Sequence, residues 1–179
     1  NYNNLEQAAK LFTKPGFRLA RHKRGMYLSA ARSWLFNCIL SERIIRQVWD
    51  RRLPGDVFML AGKSACFKDE VESEEGKTPD ERLELNEIHP TAVLWGEGDS
   101  LVRLQAAELE KEIIDQFPVY RDGLIAARLQ SQRRACRVIP DQLECCRQED
   151  NFAVSFSLPA GSYATMVLAE IFTDLIESE

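Results

Sequence analysis

The sequence predicts an α+β chain, and three observations carry that prediction. Around the segment Ser29 to Asp50, the residues Leu28, Ala31, Leu35, Cys38, Ile39, Ile45 and Trp49 recur near the 3.6-residue period of an amphipathic helix. From Ala135 the period falls to two, and Phe152, Val154, Phe156 and Leu158 alternate with Ala153, Ser155 and Ser157, as in a strand with one buried face. After Pro159-Ala160-Gly161-Ser162 the helical period returns, with Ala164, Val167, Leu168, Ile171 and Leu175 on one stripe.

The elements follow in chain order. Asn4 is positioned to cap a short helix through Phe12, which stops before the turn dipeptide Pro15-Gly16. A basic loop is expected from Phe17 to Gly25, and then the helix Ser29 to Asp50, with Arg32, Arg43 and Arg46 on its solvated side. Asp56 to Ala61 reads as a short buried strand. Asp69 to Glu87 holds nine acids against Lys77 and Arg82, which marks a solvated loop or polar helical excursion. Leu101 to Phe117 is expected to be helical, and Arg121 to Arg134 to continue as helix. Ala135 to Ile139 and Leu143 to Arg147 are expected strands on either side of Pro140-Asp141.

With 179 residues, 45% hydrophobic and 28% charged, the chain is long and apolar enough to bury a core. Disordered, collagenous and disulfide-scaffold classes are excluded, and no apolar run approaches the roughly 20 residues of a membrane span. No membrane partner is expected. The first residue is Asn1 rather than Met, without a signal-peptide pattern, so the chain is expected to be a piece of a longer, cytoplasmic protein.

Charge is unevenly distributed. Residues 1–52 hold 11 Lys and Arg against three acids, a surplus of eight, whereas the remainder carries a deficit of 13. Arg18, Arg21, Lys23 and Arg24, with His22 among them, form the tightest basic cluster, and nucleic-acid phosphate is its natural partner. A solvated basic surface with no partner is the alternative.

Five cysteines without a CxxC pair and only two histidines, His22 and His89, supply neither a zinc ligand set nor a recognisable nucleophile motif. No metal and no cofactor are expected. The turn from Leu158 to Tyr163 is the most informative local feature. Gly161 permits close backbone approach, Ser162 suits a helix cap, and Tyr163 offers a ring to a base or a hydroxyl to a phosphate. A purely structural turn is the competing reading. Asp69 is expected to be a surface acid without a partner.

Longer stretches carry a resemblance. LSAARSWLFNCILSER (Leu28 to Arg43), preceded by His22-Lys23-Arg24, is similar to the central helix of the TruD family of tRNA pseudouridine synthases. GDVFMLAG (Gly55 to Gly62) resembles that family's next segment, and LPAGSYAT (Leu158 to Thr165) its C-terminal signature. NNLEQAAKL (Asn3 to Leu11), LWGEGDS (Leu94 to Ser100) and Arg133-Arg134-Ala135 fall in the same order.

The resemblance implies isomerisation of a tRNA uridine, position 13 in the bacterial branch, to pseudouridine, with an aspartate nucleophile and no cofactor. That aspartate belongs to a GxKDKxAxTxQ-like motif, which this sequence lacks, and Lys68-Asp69 does not supply it. By resemblance, residues 1–137 form an α/β insertion domain, and residues 138–179 a C-terminal strand-helix segment of a split catalytic sheet. The missing N-terminal catalytic half and tRNA are the implied partners. Residue by residue, Gly161, Ser162 and Tyr163 are implied to shape the base pocket, Tyr163 standing where the family commonly has Phe. Lys23, Arg24 and Arg32 are implied to contact tRNA phosphate, although Arg32 also suits an internal salt bridge. Asn37 also matches, with a buried hydrogen-bonding role as the structural alternative. The rival is a free-standing RNA-binding or interaction module of the same architecture that performs no chemistry. An enzyme with its own acid, such as Glu42 or Asp56, is a third option, for which the sequence offers no tuning environment.

Overall fold

The structure is a computed structural model that describes residues 2–17, 19–69, 76–148, 151–159 and 162–172. It divides into two compact units, Asn1–Arg137 and Val138–Glu179. The first contains α1 (Tyr2–Thr13), α2 (Arg21–Ile45), β1 (Val57–Leu60), β2 (Cys66–Lys68), α3 (Pro79–Glu84), β3 (Ile88–Leu94), α4 (Leu104–Asp115), α5 (Pro118–Ala126) and β4 (Gln132–Ala135). Its sheet runs β2-β1-β3-β4 with every neighbouring pair antiparallel, Phe58 opposite Pro90 and Val93 opposite Arg133.

Helix α2 organises the core. Its Leu28, Ala31 and Leu35 pack with Ala8 of α1 and Leu124 of α5. Its Phe36 and Ile39 pack with Ala92 and Val93 of β3 and with Leu109, Ile113 and Ile114 of α4. Burying such side chains is worth about 1.5–3 kcal/mol each. Gly123 serves the α1–α5 contact, since a Cβ there would overlap the Phe12 ring.

The helix is displaced from its expected bounds at both ends. It begins at Arg21, so the basic stretch through Gly25 is helix rather than loop. It ends at Ile45, where Gln47 takes a left-handed φ of 57°, Gln47 N–H donates to Ile44 O at 2.9 Å and Val48 N–H to Arg43 O at 2.8 Å. This is a Schellman closure without the glycine that usually announces one, so the apolar period overruns it. Ile45 and Trp49 accordingly lie 71% and 37% exposed, off the buried stripe. Arg43, expected on the solvated side, is instead fully buried, one turn beyond Ile39 on the core face. Asn37 is exposed, not a buried hydrogen-bonding residue. Asn4 lies inside α1 and does not cap it.

Strand β3 has no expectation to match. Its sequence IHPTAVL contains Pro90, which argues against a central strand, and six of its seven residues are buried, so no alternation is visible. Pro90 lacks the N–H donor but still contributes its acceptor to the sheet, its carbonyl accepting from Cys136 N–H at 2.8 Å. Residues 132–135 are strand β4 rather than the end of a helix, and the strand expected over Ala135 to Ile139 stops at Ala135. Helix α5 starts with Pro118 in its first turn, separating it from α4, which is shorter than the expected Leu101–Phe117. In the acidic segment, α3 is set by a capping box: the Thr78 hydroxyl accepts from Glu81 N–H, and the Glu81 carboxylate accepts from Thr78 N–H.

The second unit is an antiparallel hairpin, β5 (Asp141–Gln148) with β6 (Asn151–Ser157), followed by α6 (Ala164–Ile171). None of its described side chains is fully buried. Val138, Ile139, Leu143, Phe152, Met166 and Ile171 are all at least 41% exposed.

Candidate nucleic-acid interface

The basic cluster sits on the opening turns of α2. Arg21, His22, Lys23 and Arg24 are exposed, and the first turn contains no acid. Positive side chains at a helix N-terminus oppose the macrodipole, so this placement costs stability and concentrates positive potential at the amino end. Neither Lys23 nor Arg24 has an ion-pair partner among the described residues. Arg18 lies outside the described residues.

Arg32 is two turns further along. It is half-buried and forms no salt bridge among the described residues; its Nη2 donates to Leu94 O at 2.8 Å and Gln130 O at 2.9 Å. It thereby ties the end of β3 and the approach to β4 to α2. Burial, and then the neighbouring Arg134, lower its pKa from the ordinary value.

In the second unit, Tyr163 precedes α6 and is 74% exposed. Its carbonyl accepts from Met166 N–H at 3.1 Å. Ser162 is half-buried, but it does not cap the helix: Tyr163 holds that position, and no side chain caps it. Ser162 N–H donates to Pro159 O at 3.1 Å and is therefore not a free amide for an anion. Gly161 lies outside the described residues. The expected site residues thus divide between the units, Lys23, Arg24 and Arg32 in the first, Ser162 and Tyr163 in the second.

The acids weighed as alternative catalysts are already engaged. Both Asp56 oxygens accept from Arg43, at 2.8 Å each, and Oδ2 also accepts from Leu53 N–H at 2.8 Å. Asp56 is thus a buried structural partner, an environment the sequence did not disclose. Glu42 accepts from Arg46 Nε at 2.6 Å. Asp69, expected without a partner, accepts from Arg52 Nε at 2.8 Å. His89 is buried and accepts at Nδ1 from Arg137 Nε at 3.0 Å; burial and that cation lower its pKa, which favours the neutral ring. Among the described residues, no group of three or more His, Cys, Asp or Glu could hold a metal ion, and no helix is long and apolar enough to cross a membrane.

Arg134 was not singled out from the sequence for any contact. Its orientation follows from strand β4, which the sequence did not disclose and on which alternate residues face opposite sides. Arg133 turns inward, its Nη2 donating to Thr91 O at 2.7 Å and pairing with the buried Glu110 at 2.8 Å. Arg134 is exposed, with its guanidinium 5.2 Å from the centre of the Phe36 ring on α2.

Comparison with known proteins adds a separate line of observation. The family model for TruD, tRNA pseudouridine synthase D, matches residues 3–171. The tRNA pseudouridine synthase D of Methylococcus capsulatus is 41% identical over 169 residues, covering 94% of this chain and 47% of that protein. That of Hydrogenovibrio crunogenus is 37% identical over 178 residues, covering 99% and 50%. A Methanosarcina mazei crystal structure assigned as tRNA pseudouridine synthase D superimposes with a TM-score of 0.64 at 25% identity, covering 94% of this chain and 44% of that one. The chain spans about half the length of the curated relatives it matches.

Proposed function

The chain belongs to the tRNA pseudouridine synthase D (TruD) family, and on that premise we propose that it is the C-terminal half of a tRNA pseudouridine(13) synthase. In this reading it supplies tRNA contacts and part of the base pocket, while an N-terminal half supplies the nucleophilic aspartate. Residues 1–137 serve as the insertion domain, and residues 138–179 return to the catalytic sheet.

The observation that carries the reading is the second unit. A two-stranded hairpin and one helix cannot enclose a core, and here Phe152 and Met166 stand 60% and 62% exposed. Such a piece is completed by further strands, and the family offers them in the half outside this sequence. The missing GxKDKxAxTxQ-like motif and the engaged state of Asp56, Glu42 and Asp69 support the same division of labour.

The chemistry is an isomerisation. The bond from ribose C1′ to uracil N1 breaks, the base turns, C1′ bonds to C5, and the C5 proton is lost while N1 gains one. The target nucleotide must leave its stack, which needs phosphate contacts on the flanking backbone and a ring to hold the flipped base. Lys23, Arg24 and Arg32 suit the first task. Tyr163, an exposed ring at a helix start, suits the second, with Gly161 and Ser162 as the turn that presents it.

The test is tritium release from tRNA carrying 5-tritiated uridine, comparing this chain alone with the intact protein. Release by the intact protein only is the expected outcome. Release by neither favours the non-catalytic RNA-binding module, and release by this chain alone overturns the assignment of the nucleophile to the other half.

A further inference from the structure

An open groove of about 320 Å³ runs along α2 in the first unit, between that helix and the end of the sheet. Gly25, Ser29, Arg32 and Ser33 line it from α2, and Gln132 and Arg134 from β4. At Gly25 a Cβ would meet nothing within 4 Å, so the helix leaves that stretch of groove open. The two arginines face no acid: neither has an ion-pair partner among the described residues. Arg32 spends only Nη2 on protein carbonyls, and its buried Nε has no acceptor. Its strongest charged neighbour is Arg134, a second cation, and the pair is held together without a counter-charge.

Two guanidinium groups gathered beside serine hydroxyls, with one fixed by the backbone and the other laid over an aromatic ring, form a cradle for a tetrahedral anion. We propose that this groove binds a backbone phosphodiester of the RNA, with Arg134 and Arg32 as its charge partners and Ser29 and Ser33 as hydroxyl donors. The inference rests on the tRNA reading above and deepens it by adding Arg134 of β4 and two serines of α2 to the phosphate contacts, around Arg32. At 1.5 Å per residue, Lys23 lies roughly 9–15 Å along the helix axis from Ser29, Arg32 and Ser33. The groove phosphate is therefore a contact separate from one made by Lys23.

The test measures binding of unmodified tRNA by the intact protein as a function of salt, for wild type and for Arg134→Gln. Arg134 is exposed but lies over the ring of the core residue Phe36, so urea unfolding of Arg134→Gln first checks that the fold is kept. Loss of one phosphate contact is expected to weaken binding about tenfold at low salt and to flatten the slope of log K against log salt by about 0.7–0.9. Ser29→Glu, also at an exposed position, places a carboxylate in the groove and should reproduce the loss. Lys23→Gln should add its own decrement on top of Arg134→Gln, as for independent contacts. If wild type binds tRNA while both groove variants keep its affinity and slope, the phosphodiester site is overturned and the family reading stands. If wild type binds no tRNA, both fall. Titration with inorganic phosphate at constant ionic strength, followed by arginine side-chain NMR, separates the sources. Saturation of Arg134 by free phosphate together with an unchanged tRNA slope in Arg134→Gln identifies a free-phosphate site and overturns the RNA one.

Discussion

Arg43 and Asp56 form a two-pronged ion pair in the interior of the first unit, Nη1 to Oδ1 and Nη2 to Oδ2 at 2.8 Å each, with both side chains wholly removed from solvent. The pair joins the last turns of α2 to the loop entering β1, where Asp56 also accepts Leu53 N–H. Two charges taken out of water cost several kcal/mol each, and their attraction offsets this only while both are present. Arg43→Met is therefore expected to lower unfolding stability by about 3–5 kcal/mol, since it strands a buried carboxylate. Arg43→Met with Asp56→Leu should recover most of that loss. Urea unfolding of the wild type, the single variant and the double variant checks it; a double variant as unstable as the single would show that the pair itself, not the unpaired charge, sets the cost.

Cys136 lies among the same charges, with Arg43, Asp56, Arg133 and Glu110 as its electrostatic neighbours, and burial pushes its thiol up to about 12. The unfolded thiol titrates near its ordinary value of 9.0, so between pH 9 and about 12 the unfolded chain binds fewer protons than the native one. Stability must then fall as pH rises through that window, by up to about 1.4 kcal/mol per pH unit from this group. Below pH 9 both states hold the proton and the contribution is flat. Cys136→Ala should remove that part of the alkaline slope, which urea midpoints at pH 8, 9.5 and 10.5 resolve. An identical slope in the variant would assign the alkaline loss to other groups.

Tyr163 presents a ring at 74% exposure at the position proposed to hold the flipped base. If the ring holds the flipped base by stacking, Tyr163→Phe should retain activity within a few fold. Tyr163→Ala should lower kcat/KM by the equivalent of about 1–3 kcal/mol of stacking, roughly 5- to 150-fold. Equal loss in both variants would instead assign the role to the hydroxyl. Single-turnover tritium release by the intact protein distinguishes the two.

Much of the helical framework was legible in the residues. The stripe Leu28, Ala31, Leu35, Ile39 found α2 because that helix buries one face, and the alternation Phe152 to Leu158 found β6, although the strand has no fully buried side chain and Phe152 is 60% exposed, against the buried face expected. The same logic fails where an element is buried all round. Strand β3 hid because its uniform burial erases alternation and Pro90 argues against it. Strand β4 hid because Arg133, a charged residue, turns inward. Its partner Glu110 lies on α4, distant in sequence and opposite it only after folding.

Local periodicity, turn chemistry and ordered motifs, which act between near neighbours, were enough to indicate an α+β chain, a change of period near Ala135 and the resemblance to a tRNA-modifying family. Tertiary structure alone decided which charges are free. It withdrew Arg43, Asp56 and Asp69 into ion pairs, closed α2 without a glycine, and left Arg32 and Arg134 side by side without an acid. A sequence states the charge of each side chain, but burial and the partner that meets it depend on contacts between residues far apart along the chain. Those contacts determine whether a cation supports the fold or remains available to a phosphate.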